Sequence, residues 1–180
     1  RSTTSPSGST PFGCQLEVPA CYGPDQIRAA YRIQPLLDRG ITGEGRRIVI
    51  IDAFAPPSVA ADLHTFDAIF GLDDPALTII APQGAVWDPN DPNQVGWSAE
   101  IALDTQWAHA VAPDAEIVLV EARSNDDADI LAATKYAVDR SLGDVISQSF
   151  GEDESCMVPR VRRARPSVRP GQAGDGARGS

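Results

Sequence analysis

Lysine is almost missing from this sequence: Lys135 stands alone against 14 arginines, an imbalance that points to a genome rich in G and C. Cysteine is scarce too. Three of them (Cys14, Cys21 and Cys156) exclude a scaffold built on disulfides. Cys14 and Cys21, seven residues apart in CQLEVPAC, could close a local loop in an oxidising compartment or remain two free thiols, and neither has a metal or nucleophile setting. No run approaches the roughly 18 uninterrupted apolar residues that a membrane span needs, so no membrane partner is expected. The opening residues RSTTSPSGSTPFG show no charged-then-apolar export signal and read as a flexible leader.

What is present is a chain of 180 residues with 42% apolar content, enough for one domain with a core. Its net charge of −10 hides two blocks: 24 acidic against 9 basic residues up to Met157, then six arginines against Asp175 alone. The acidic body argues against nucleic-acid binding, which needs a positive face, and suits work at low pH. The tail VPRVRRARPSVRPGQAGDGARGS at 158–180 has no apolar period. Three readings stand for it: a shifted reading frame in GC-rich DNA, a passive solvated tail, or a basic arm that binds polyanions. The expected organisation is a leader at 1–21, a globular part at 22–157 and this tail.

Between them, strands and helices alternate. A helix is expected from Pro24 to about Arg39, with Ile27, Tyr31 and Leu37 on one face and a kink at Pro35. Arg47–Ile51 (RIVII) reads as a strand buried on both faces. Ser58 is placed to cap a helix carrying Val59, Leu63, Phe66 and Phe70, which ends at Gly71. Leu77–Ile80 is a second strand, and a helix is expected from about Trp97 to Ala112. Then come strand Ile117–Val120, helix Asp129–Arg140 and strand Val145–Ser149. Helical crossovers of this length predict a parallel sheet covered on both sides.

Glu100 and Asp104 (EIALD) lie four apart on the expected helix, so their carboxylates share one face. A like-charge pair raises the pKa of at least one member, which suits proton sharing, whereas a position near the helix N-terminus would oppose that rise. Two acids at this spacing are most often a solvated face. Here Trp97, Ile101, Leu103, Trp107 and Val111 make the helix apolar around much of its girth, which places the pair at a rim or cleft.

The string GWSAEIALDTQWAHAVAPDAEIVLVEA at Gly96–Ala122 is similar to the stretch of the sedolisin family that bears its catalytic glutamate and aspartate. GPDQIRAAYRI at Gly23–Ile33, RIVIIDAF at Arg47–Phe54 and DVISQSFG at Asp144–Gly151 resemble the family's domain start, first central strand and cleft-bordering segment, in the right order. The resemblance spans residues 22–151, the N-terminal half of the catalytic domain. It implies a subtilisin-like α/β fold, here truncated, with a parallel sheet and helices on both faces. It also implies a serine-type endopeptidase with a Ser-Glu-Asp triad acting on proteins at acidic pH. Glu100 matches the general base and Asp104 the acid that orients it. Ser149, Phe150 and Gly151 match the segment that pairs with an extended substrate. A carboxylate base fits acid conditions because it stays partly ionised where imidazole is fully protonated.

The family's oxyanion aspartate and its nucleophilic serine in a Gly-Thr-Ser setting have no counterpart in this sequence. Asp175 in GQAGDGARG lacks the serine neighbour that the former role requires. The family's calcium site belongs to the domain's C-terminal part, so neither metal nor cofactor is expected from these residues. An inactive, secreted, monomeric fragment is the resulting expectation. The alternatives are a non-catalytic peptide-binding α/β module using Ser149–Gly151 and an anion binder using the basic tail. An Asp52-His64-Ser149 triad is disfavoured because His64 lies mid-helix and Asp52 reads as a turn residue after a strand. His109 reads as a surface or core histidine, and Asp126, Asp127 and Asp129 as the acidic first turn of a helix rather than a calcium loop.

Overall fold

In the computed structural model, residues 22–151 are described, and the leader cysteines, Cys156 and the arginine-rich tail lie outside them. The chain divides after Ser149 into two units, and the architecture below belongs to the first.

The first helical stretch is two short helices, α1 (Pro24–Ala30) and α2 (Gln34–Leu37), separated by a break in which Arg32 adopts φ 56°. This corrects the expected single helix. Tyr31 is exposed, and the residues α1 buries are Pro24 and Arg28. Strands β1 (Arg47–Ala53), β2 (Leu77–Ile80), β3 (Glu116–Ala122) and β4 (Val145–Ser147) then alternate with helices α3 (Val59–Phe70), α4 (Pro92–Val111) and α5 (Asp127–Asp139). The four strands form one parallel sheet in the order β2-β3-β1-β4.

Period-two alternation divides the two central strands between two cores. Val49, Ile51 and Ala53 of β1, with Val118, Val120 and Ala122 of β3, face Ile130, Ala133 and Ala137 of α5. Ile50, Ile117 and Leu119 point the other way, against Val59 of α3 and Ile101 of α4. Both faces are therefore covered, as the unbroken apolar strands require. Helix α3 ends at Gly71 in the left-handed region (φ 67°), and its buried Phe66 meets Trp107 of α4 edge-on at 6.4 Å. Ser58 occupies the N-cap position of α3 but its side chain makes no capping bond.

Strand β4 is shorter than expected. It ends at Ser147, so Ser149 follows it. Among the described residues β4 is the edge strand of the sheet, with Val145 57% and Ile146 41% exposed. Gly143 lets β4 approach β1: a Cβ there would lie 2.6 Å from Val49 Cγ2 and 2.8 Å from the Arg47 carbonyl oxygen.

Candidate active site

Helix α4 starts five residues earlier than expected. Asp91 caps it, accepting from the Asn93 backbone N–H at 2.9 Å, and Pro92 fills the first turn, where a missing N–H costs nothing. The earlier start changes the chemistry. Glu100 now lies eight positions beyond Pro92, past the first turn in which the helix dipole acts, so the expected opposition to a raised pKa falls away.

The rest of α4 is held along its length. Thr105 Oγ1 donates to the Ile101 carbonyl at 2.7 Å inside the core. At the far end, the buried Arg28 of α1 donates through Nε to the Ala110 carbonyl at 2.6 Å, placing a cation on the negative end of the helix. His109, fully buried, reaches the Asp73 carbonyl at 3.0 Å and lies 3.3 Å from Asp67 Oδ1 of α3. His109 is thus a core histidine on the side of α4 away from Glu100, nine positions or about half a turn in phase around the helix.

On the Glu100 side a third carboxyl joins the pair. Asp52 is not a turn residue: β1 runs through it to Ala53, and its side chain is completely buried. It continues the row Ile48 and Ile50 on the face that α4 covers, at the C-terminal end of the parallel sheet, where α/β folds place their ligands. Both of its carboxylate oxygens, and Oδ2 of Asp104, are buried without a hydrogen-bond partner. Burial, followed by the nearby charges of Asp104 and Glu100 and then Glu121, pushes Asp52 up to about 8. Glu100 is raised by burial and next by Asp104. Just after Asp52 the backbone turns through Phe54, buried in the left-handed region at φ 67°, with its N–H on the Ala122 carbonyl at 2.8 Å. Such strain in a bulky residue persists only where its surroundings hold it, and here it closes the strand end beside the carboxyls.

The cluster can hold and pass protons. Three acids share one side of the sheet end, and the most deeply buried of them favours its protonated form. No three His, Cys, Asp or Glu side chains among the described residues are arranged to hold a metal ion. Ser149 follows the C-terminal end of β4 and is exposed, with the preceding Gln148 tied to Thr134 of α5 at 2.9 Å. Phe150 and Gly151 are exposed.

The Asp52-His64-Ser149 arrangement is not assembled. His64 is exposed and bonded to Asp74 at 2.9 Å, ahead of β2 and at the other end of the sheet from Asp52. A cleft of about 660 Å³ lined by Glu44, Arg46, Asp74, Asp114 and Glu116 also lies at that N-terminal end, away from the carboxyls. Asp126 is the N-cap residue of α5, and Asp127 and Asp129 lie in its first turn. Asp129 accepts from Gln83 and Ser124, as a helix start predicts. Asp52 is the residue that sequence reasoning missed. The available signal was an acid ending a β-branched run that is buried on both faces.

No family model matches the chain. Among curated proteins, kumamolisin from Bacillus sp. (strain MN-32) is 30% identical over 148 residues, which are 81% of this chain and 25% of kumamolisin. Among solved structures, Pseudomonas sedolisin (serine-carboxyl proteinase), complexed with two molecules of pseudo-iodotyrostatin, superposes with a TM-score of 0.54 at 24% identity, over 63% of this chain and 32% of that one. This chain therefore spans about a quarter of the curated relative and about a third of the solved one. The motifs, their order along β1, α4, β3 and β4, and the parallel α/β fold agree: the described residues are similar to part of a sedolisin-type domain and share its fold.

Proposed function

We propose that this chain carries the proton-handling half of a serine-carboxyl endopeptidase that cleaves proteins at acidic pH. Glu100 is the general base and Asp104 the acid that orients it. The observation that carries this reading is the convergence of Asp52, Glu100 and Asp104 on one face at the C-terminal end of the sheet, with Glu100 raised by burial and by Asp104. Raising Glu100 makes its carboxylate a stronger proton acceptor, while leaving a smaller fraction of it ionised in acid. In the reaction, a serine Oγ attacks the peptide carbonyl carbon while its proton passes to a Glu100 carboxylate oxygen. The same proton then goes to the leaving amine. Asp104, next on the helix face, fixes the Glu100 carboxyl, and Ser149, Phe150 and Gly151 pair with the extended substrate.

The sequence holds no Gly-Thr-Ser string, so the 180 residues alone supply no nucleophile and do not turn over. By the same likeness the protein acts outside the cell as a monomer. No helix among the described residues is long and apolar enough to cross a membrane. A second reading is favoured by β4, the edge strand among the described residues: peptide binding by strand addition without cleavage.

The test is cleavage of an unfolded protein at about pH 4, first with the chain alone and then with the remaining part of a sedolisin-type domain added. No cleavage by the chain alone, and cleavage on addition that Glu100→Gln abolishes, is the expected result. Cleavage indifferent to Glu100→Gln overturns the role of Glu100. Peptide binding in both cases without cleavage selects the second reading.

A further inference from the structure

Three peptide bonds in this chain join an aspartate to a proline: Asp74–Pro75, Asp88–Pro89 and Asp91–Pro92. Such a bond is the weakest link of a polypeptide in acid. The aspartate carboxylate reaches its own carbonyl carbon by closing a five-membered ring, and the nitrogen that departs is tertiary, without an N–H, and leaves as a proline amine. Composition alone treats the three bonds alike. Two of them form a direct repeat, DPNDPN at 88–93, which runs from the loop after β2 into the start of α4.

The fold separates them. Asp74 has both carboxylate oxygens on His64 Nδ1, at 2.9 and 3.0 Å. Asp91 has Oδ1 on the Asn93 N–H at 2.9 Å and Oδ2 on Gln94 Nε2 at 3.1 Å. Asp88 engages Oδ1 alone, which accepts from the Asn90 N–H at 2.9 Å and from Asn90 Nδ2 at 3.1 Å, so its Oδ2 has no partner among the described residues. A bond from side chain to the backbone two residues on folds the carboxyl over the intervening peptide, here Asp88–Pro89. The Asp88 carbonyl oxygen accepts from the Asp91 N–H at 3.1 Å, a donor that supports the negative charge which builds on that oxygen as the ring closes. The Asp91 carbonyl has such a donor too, the Val95 N–H at 3.0 Å, but no free carboxylate oxygen beside it. Helix α4 steadies the turn, because Gln94 Oε1 accepts from the Asp88 N–H at 2.7 Å. Asp88 is exposed and joins no ion pair among the described residues, and the neighbouring Asp91 carboxyl is turned to Asn93 and Gln94.

We propose that Asp88–Pro89 is a self-cleavage site: in acid the free Oδ2 of Asp88 attacks its own carbonyl carbon, and the chain parts from Pro89. An O–C bond forms as the C–N bond breaks, and the electron pair of that C–N bond goes to the Pro89 nitrogen, which takes a proton from the medium. The cyclic anhydride left on Asp88 adds water and opens to two carboxyls, so the sum is hydrolysis of one peptide bond. The turn holds nucleophile and carbonyl together before the reaction begins. Neither a serine nor the Glu100/Asp104 pair takes part, so this chemistry is independent of the peptidase reading. Its product is a two-piece protein, with β1, α3 and β2 on the piece that ends at Asp88 and α4, β3, α5 and β4 on the piece that begins at Pro89. Because β3 pairs with both β1 and β2, the pieces stay joined through the sheet. The helix that bears Glu100 and Asp104 then has a free chain end three residues ahead of Pro92.

The test holds the full chain at about pH 4 and identifies the pieces by mass at intervals over days. The expected result is a piece that ends at Asp88 and a piece that begins at Pro89, formed at a rate that does not change with chain concentration. Cuts at Asp74–Pro75 and Asp91–Pro92 should be about tenfold slower in the folded chain and should catch up in denaturant at the same pH. Asp88→Glu requires a larger ring and Pro89→Ala a poorer leaving group, so each should remove the cut. An uncut chain overturns the proposal, as do equal cutting of the three bonds in the folded chain and a cut that survives Asp88→Glu. A rate that climbs with concentration overturns it as well, because one molecule is then cutting another. Should either variant fail to fold, the comparison of the three bonds in the unaltered chain decides.

Discussion

His109 Nε2 lies 3.3 Å from Oδ1 of Asp67, and both side chains are shut away from water between α3 and α4. Burial raises Asp67, while the nearby His109 pulls it back down. Removing the imidazole leaves a buried carboxyl without its counterpart. His109→Ala should destabilise the chain by about 3 kcal/mol at neutral pH, and by less in acid, where Asp67 takes a proton. Urea unfolding at the two pH values checks this. Equal losses at both would show that Asp67 is not the group left uncompensated.

The carboxyls at the sheet end give stability an unusual pH dependence. Asp52 and Glu121 rise from 3.8 and 4.5 to about 8 and about 7 on folding, so the folded chain binds more protons than the unfolded one between those limits. Their contribution is fully present below the unfolded values and is lost as pH rises through the folded ones. Asp144 works the other way. It is lowered by the Arg47 backbone N–H and then Arg46, so its contribution is lost only as pH falls below the ordinary aspartate value. The chain should therefore be more stable near pH 4 than near pH 8, by an order of a few kcal/mol. Asp52→Asn should flatten that slope in thermal melts.

Gly143 should tolerate no side chain. A methyl group there meets Val49 Cγ2 and the Arg47 carbonyl well inside contact distance, and the carbonyl belongs to a strand that cannot easily shift. Gly143→Ala should cost about 1–3 kcal/mol. Hydrogen exchange should show the β1–β4 pairing weakened first, while β2–β3 keeps its protection.

Asp91 should be worth its cap. Asp91→Ala removes the acceptor for the Asn93 N–H and should cost about 1 kcal/mol by urea unfolding. Asp91→Asn, which keeps the acceptor, should cost much less.

The strands were the legible part of this sequence, because β-branched runs flanked by Gly, Pro and Asp have few other uses. Arg47–Ile51, Leu77–Ile80 and Ile117–Val120 all fall within observed strands, and the parallel α/β class followed from the helices between them. The start of α4 was not legible. Its first turn, PNQVG, looks like loop, and the cap at Asp91 that makes it helical lies in the Pro- and Asn-rich stretch itself. Asp52 was misread for a related reason: an acid after apolar residues resembles a turn, and only the depth of the sheet end shows it buried. The pairing of His109 with Asp67 was beyond reach, since 42 positions of sequence separate two residues that tertiary packing brings together.

The bond from Arg28 to the Ala110 carbonyl bears on where this domain can be trimmed. Helix α1 precedes every strand and holds none of the site's carboxyls, so it looks expendable to anyone designing a minimal version. Yet it supplies the plug for the last turn of the helix that bears Glu100 and Asp104. A version beginning at Arg46 would keep the whole sheet and lose the stopper at the distal end of α4. The shortest faithful version of the carboxyl site therefore begins no later than Gly23, whose carbonyl starts the helix that carries Arg28.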